Sequence, residues 1–466
     1  MKKLSIVLLT LFLFYSTTYA EIKLPAFFSS DMVLQQQSTI KIWGKAEPHK
    51  TVTLFTSWNL KRYKTTADQD GNWTLSFNTS KAGGPYNITI SDGKAVSLNN
   101  VLVGEVWLCS GQSNMEMPMR GYTGQPIEGG NEDILRSENS NIRLFRVSRK
   151  AELQAQEDVI GRWEEAMPVS VREFSATAYY FGRMLQETLR VPVGLISSSW
   201  GGSTIEAWMS KDMLTSFPEA KIPESTNNIK NPHQTPSMLY QGMIYPFVGF
   251  TIKGVIWYQG ENNRNHYKSY ASMFKAMTDG WRKVWNQESM PFYFCQIAPY
   301  QYGGGTNSAF IREAQGKAAK EPQTGMAVLM DTGEEHCIHP AKKKEAGERL
   351  ALLALNKTYN FAGIDSESPA FKNIEIKNNE VIVYFDKAPM GIYAKGGKST
   401  QFKLAGADKV FHPAEARVRN NHVIVKSDHV PNPVAVRYAF EDFVVGDLFG
   451  TSGLPVSSFR SDDWEE

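Results

Sequence analysis

Along the first hundred residues apolar and polar positions alternate with a period of two, as in Thr39-Ile40-Lys41-Ile42-Trp43 and Thr51-Val52-Thr53-Leu54-Phe55. Turn-forming runs such as Asp68-Gln69-Asp70-Gly71-Asn72 separate them. That is the period of a strand with one buried face, so residues 21–100 are predicted to form a β domain. The pattern then changes. From 101 to 360 the continuous apolar runs Val101–Leu108, Val191–Ile196, Gly254–Tyr258 and Met326–Met330 alternate with amphipathic stretches such as Ala176–Leu189 and Lys342–Leu355. Strands apolar on both faces, interleaved with helices, predict an α/β domain built on a parallel sheet flanked by helices. From 361 to 466 the period of two returns, as in Glu380-Val381-Ile382-Val383-Tyr384-Phe385, and predicts a second β domain.

Residues 1–20 break this scheme. Lys2 and Lys3 precede an apolar run, Leu4–Tyr15, that ends in Thr18-Tyr19-Ala20. Crossing about 30 Å of hydrocarbon takes about 20 apolar residues, so the run reads as an export signal and the mature chain as secreted or periplasmic, without a membrane anchor. The chain of 466 residues is 42% hydrophobic and 21% charged, enough apolar material for several cores. Lys and Arg number 50 against 48 Asp and Glu, and losing Lys2 and Lys3 leaves 48 of each. With no basic excess, neither nucleic acid nor an anionic membrane is an expected partner, and the search turns to small or neutral ligands. Three cysteines, Cys109, Cys295 and Cys337, allow at most one disulfide, and their pairing is left open.

The chemistry gathers where the apolar runs end. Val101–Leu108 leads into Cys109-Ser110-Gly111-Gln112-Ser113-Asn114-Met115. In a parallel α/β sheet ligands bind at the carboxyl ends of strands, which makes Ser113 the leading nucleophile. A nucleophile elbow of the Gly-x-Ser-x-Gly kind would need Gly at 115, where Met115 stands, so an ordinary α/β-hydrolase is excluded. A serine needs a base, and His339, before Pro340 and the last amphipathic stretch, follows another strand end. Two more loops, Ser199-Trp200-Gly201-Gly202-Ser203 and Gln259-Gly260-Glu261-Asn262-Asn263, supply backbone N–H groups and amide side chains of the kind that hold an oxyanion.

In this order the blocks resemble the SGNH (GDSL-like) hydrolases, and specifically the sialate O-acetylesterase family with its carbohydrate acetylesterase relatives. Gly111-Gln112-Ser113-Asn114-Met115 is similar to the first block, Gly201-Gly202-Ser203 with Ile205-Glu206-Ala207-Trp208 to the second, Trp257 to Asn263 to the third and Ile338-His339-Pro340 to the last. Arg312-Glu313-Ala314-Gln315 and Gly453-Leu454-Pro455 agree as well. The resemblance implies removal of O-acetyl groups from sugars, most directly 9-O-acetyl sialic acid, without a cofactor. It implies Ser113 as nucleophile, His339 as base, and an oxyanion hole of the Ser113 N–H, the Gly202 N–H and the Asn263 side chain. Gln112, Gln259 and Glu261 are expected to support the site or touch substrate. Such enzymes place Asp three residues before the histidine, but that position is His336 here. The residue orienting His339 is left open among Asp331, Glu334, Glu335 and a backbone carbonyl. Arg120, Arg264 and Arg312 are the cations able to pair with a sialic acid carboxylate.

Three other readings stand beside this one. The first is an acetylxylan-type esterase of the same fold. The second is a metal-dependent deacetylase using His336 and His339, although no metal is expected. The third is a non-catalytic carbohydrate-binding protein that stacks sugars on its tryptophans. Substrate identity and oligomeric state are not set by the sequence.

Overall fold

The structure is a computed structural model that describes residues 22–303 and 307–464. The export signal expected at residues 1–20 lies outside the described residues. No described helix is long and apolar enough to cross a membrane. The centre is a sheet in the spatial order Thr324–Ala327, Phe292–Cys295, Gly254–Tyr258, Ala95–Gly111, Val193–Ser199, Asn139–Arg146, Trp163–Ala166. Adjacent strands are parallel except the last pair. Its middle strand is 17 residues long. The first half of that strand pairs with Gly83–Ser91 and Val33–Gln35, so the N-terminal β sheet is continuous with the central one.

Alternation along this strand feeds two cores. Val106 and Leu108 face one side, with Trp257, Trp281 and Phe292; Trp107 and Cys109 face the other, with Phe181, Leu350 and Leu353. Helix Tyr267–Trp285 covers the first side because Tyr270, Phe274, Met277, Trp281 and Trp285 recur at helical spacing and are buried. It stops at Asn286, whose left-handed φ of 52° lets its N–H close on the Arg282 and Lys283 carbonyls. Helices Ala176–Leu189 and Lys343–Lys357 cover the second side. This is the α/β architecture read from the sequence, with helices on both faces of a mostly parallel sheet.

Beyond residue 360 the chain forms separate antiparallel sheets. One has the order Ala370–Lys377, Glu380–Asp386, His422–Lys426, Glu415–Arg419, and another Phe411–Pro413, Phe402–Ala405, Ala435–Tyr438, Phe459–Arg460. They dock on helix Asn307–Ala318, where Arg312, fully buried, donates to Ser308 Oγ, Ser458 Oγ and the Glu441 carbonyl, and Glu313 forks with Arg460. Cys109 and Cys295 are buried, and all three cysteines are free thiols.

Candidate active site

The register of the central sheet brings three chain segments to one level. Gly111 lies opposite Tyr258 on one side and Ser199 on the other, so the loops after these strands emerge together. Gly111 has φ 138°, and a Cβ there would sit 2.2 Å from the Tyr258 carbonyl oxygen; only glycine fits where the strand breaks. The chain then closes into a short helical turn, Ser113–Glu116, which presents Ser113 half-buried at the rim.

His339 arrives from 226 residues away and places Nε2 2.8 Å from Ser113 Oγ. Its Nδ1 lies 2.7 Å from Gln125 Oε1. An amide oxygen only accepts, so Nδ1 carries the proton and Nε2 presents its lone pair to the serine hydroxyl. Tyr122 packs its ring edge-on against the imidazole at 5.3 Å. Gln125 is held by a reciprocal backbone pair with Tyr122, at 3.0 Å in each direction. Burial first, and the Lys343 ammonium second, push the His339 pKa down to about 4, so the ring is neutral at neutral pH.

The carboxylates expected to orient His339 are engaged elsewhere. Asp331 forks with Arg349 at 2.7 Å to each oxygen, Glu334 accepts from the Ala341 N–H at 2.7 Å, and Glu335 points outward beside His336. Their loop folds back on its own helix, which leaves the imidazole's far side to Gln125. His336 has a side chain 87% exposed and does not converge with His339. Among the described residues no three His, Cys, Asp or Glu side chains gather as a metal site.

The asparagine expected in the oxyanion hole is also differently placed. Asn263 is fully buried; its Nδ2 donates to both Glu206 oxygens, and its Oδ1 accepts from the Ile205 N–H and Gln259 Nε2. The short helical turn Glu261–His266 directs that side chain inward and its neighbour Asn262 into the cleft, where Nδ2 donates to the Gly202 carbonyl at 2.8 Å. An amide nitrogen has two hydrogens, so one remains for a ligand. Gly202, at φ 73°, donates its N–H to no acceptor among the described residues, and Ser113, first in its turn, has an N–H without an intrahelical acceptor. Gly201 presses on the serine, where a Cβ would come 3.2 Å from Ser113 Cβ, and its own N–H is taken by Glu116 at 2.8 Å.

Behind the serine lies a polar cluster. Asn114 Nδ2 donates to Glu261 Oε1 at 2.6 Å and to the Ile338 carbonyl at 3.0 Å, while Asn114 Oδ1 accepts from Lys343 Nζ at 2.9 Å. Lys343 also donates to the Pro340 carbonyl at 2.6 Å. One asparagine thus ties the serine turn to the segment carrying His339. Burial raises the Glu261 pKa and lowers that of Lys343 to about 8. Gln112 borders the cleft and accepts from the Gly260 N–H, whereas Gln259 is fully buried and supports Asn263 from within.

The cleft has a volume of about 420 Å³. A larger one, about 600 Å³, lies between the N-terminal ribbon and Tyr245 and holds none of these groups. Asn262 stood in the loop read as an oxyanion donor, with Asn263 chosen in its place, while Gln125 and Lys343 escaped the sequence reading. Of those two, Lys343 left a signal, a cation in line with Ala346, Leu350 and Leu353 on the apolar stripe of its helix.

Comparison with known proteins shows the family and fold to which the chain is similar. Residues 103–356 match the model of a carbohydrate esterase family described as sialic acid-specific acetylesterase. The chain is 30% identical to human sialate O-acetylesterase over 392 residues, covering 75% of this chain and 74% of that protein. It is 29% identical to the rat protein of the same name, covering 77% of each. Among solved structures, a carbohydrate acetylesterase from Xanthomonas citri superposes with TM-score 0.88 at 34% identity, covering 95% of this chain and all of that one.

Proposed function

The chain belongs to the sialic acid-specific acetylesterase family of carbohydrate esterases, a carboxylic ester hydrolase that removes O-acetyl groups from sugars, and from that premise we propose that it works by serine acyl transfer. His339 Nε2 takes the Ser113 proton as Oγ attacks the acetyl carbonyl. The oxyanion that forms is held by the Ser113 and Gly202 N–H groups and Asn262 Nδ2. The imidazolium returns its proton to the departing sugar oxygen, leaving acetyl on Ser113. A water, deprotonated by the same nitrogen, then releases acetate and restores the hydroxyl. Gln125 keeps His339 in the tautomer this sequence needs.

The observation that carries this reading is the 2.8 Å approach of His339 Nε2 to Ser113 Oγ with Nδ1 fixed from behind. For the substrate we propose 9-O-acetyl sialic acid, acted on outside the cytoplasm as the leader-like residues 1–20 suggest. An acetylated neutral sugar of the acetylxylan kind is the second reading, favoured by the 34% identity to a relative described only as a carbohydrate acetylesterase. The test is acetate release from 9-O-acetyl sialic acid and from acetylated xylan by wild type, Ser113→Ala and a chelator-treated sample. Loss with Ser113→Ala and indifference to chelation support the serine mechanism. Loss on chelation alone would favour the metal reading, and no hydrolysis by wild type the binding-protein reading.

A further inference from the structure

Four charged side chains border the cleft beside Ser113 and His339: Glu116, Arg149, Glu261 and Arg264. Three of them are balanced within the protein. Glu116 and Arg149 close on each other through two bonds of 2.6 and 2.7 Å. Glu261 is buried and held by Asn114, which in turn holds the buried ammonium of Lys343, so that negative charge has its counterpart behind the cleft.

Arg264 differs. Among the described residues no carboxylate lies within ion-pair distance of it. Its guanidinium rests 4.5 Å from the centre of the Tyr302 ring, and Nη1 donates to the Glu261 carbonyl at 3.3 Å. These contacts fix the plane and use one of five N–H groups; a fork of the remaining donors is the shape that matches a carboxylate. The two other arginines weighed for this role are occupied: Arg120 pairs with Glu173 at 2.8 Å, and Arg312 is buried under the C-terminal sheets.

We propose that Arg264 is the specificity-determining residue of the cleft, pairing with the carboxylate of an acidic acetyl sugar. This rests on the esterase reading above and narrows its substrate to ulosonic or uronic acids. Such a contact forms in the ground state and persists in the transition state, so it acts chiefly on KM.

The experiment compares kcat/KM for 9-O-acetyl sialic acid, the methyl ester of its carboxyl group, an acetylated uronic acid and acetylated xylose, with wild type, Arg264→Gln and Arg264→Lys. A charge-assisted pair predicts that wild type prefers the free acid to its methyl ester by roughly 10- to 100-fold, largely in KM. Arg264→Gln should bring that ratio close to one, with Arg264→Lys between. Preference for the sialic over the uronic acid assigns the carboxylate to an ulosonic ring, and the reverse to a uronic one. A wild-type ratio near one overturns the proposal without recourse to any variant, as does a preference that survives in Arg264→Gln. In both cases hydrolysis itself would continue, and the serine mechanism would stand. If wild type cleaves none of the four, the esterase reading falls and this inference with it.

Discussion

At His339 the protein acts on a single proton. Burial and the Lys343 ammonium hold the imidazole at about 4, and a general base must be neutral. The profile of kcat/KM against pH should therefore stay level on descending through 6.5 and fall only near 4; a limb at 6.5 would contradict the account. Gln125→Glu would put a carboxylate 2.7 Å from Nδ1 and favour the imidazolium, so the limb should move upward. Gln125→Ala, which frees the ring to turn, should lower kcat by about 10²-fold with little change in the melting temperature. The two neighbouring asparagines separate by the same reasoning. Asn262→Ala should cost about 10²- to 10³-fold in turnover and leave stability near normal. Asn263→Ala orphans the Ile205 N–H, leaves Gln259 Nε2 only the Ser203 carbonyl, and should lower stability by about 1–3 kcal/mol. Equal effects on turnover would refute the placement. Sequence blocks bring the segments of Ser113 and His339 into view, because strand ends and loops leave a pattern. They do not tell Asn262 from Asn263, since one residue of register in a helical turn decides which side chain faces the cleft. Gln125 leaves no trace, being a polar loop residue 214 positions from its partner.

At the scale of elements, the cleft depends on the link between the turn after the long strand and the start of helix Lys343–Lys357. Asn114, Glu261 and Lys343 form that link. Lys343→Met removes the ammonium that attracts the buried Glu261 across Asn114 and leaves Asn114 Oδ1 and the Pro340 carbonyl without their donor, a loss of about 1–3 kcal/mol. Adding Glu261→Gln should recover a large part, which denaturant unfolding of the two single variants and the double would show; strictly additive losses would mean that the groups are uncoupled. The element pattern was readable where apolar runs were continuous. Gly254–Tyr258 and Ala176–Leu189 have the limits the pattern predicts. The long strand begins at Ala95 rather than Val101, because its first residues belong to the half-exposed N-terminal sheet and lack the continuous apolar run. The run at Met326–Met330 gives a strand over Thr324–Ala327, and its last residues instead pack beneath the C-terminal sheets.

At the scale of the molecule, the C-terminal sheets brace the cleft through one helix. Arg312 and Glu313 anchor helix Asn307–Ala318 to them, while Gln315 of the same helix donates to the Gln259 carbonyl and accepts from the Ile297 N–H. Arg312→Met keeps much of the volume but leaves Ser458 Oγ and the Glu441 carbonyl without their buried donor. It should lower stability by about 3 kcal/mol and be seen by calorimetry as an earlier transition. An unchanged transition would show that the sheets dock without it. The sequence presents Arg312-Glu313-Ala314-Gln315 as a block, yet the partners that explain it lie 129 to 147 positions further on.

The central claim is that acetyl passes through Ser113. The most direct measurement is rapid acid quenching during turnover of an acetyl sugar, followed by digestion and mass spectrometry of the peptide containing Ser113. The account predicts a fraction of that peptide heavier by one acetyl group in wild type and none in Ser113→Ala, which should also release no acetate. Acetate release by Ser113→Ala at the wild-type rate, with the peptide never acetylated, would contradict it.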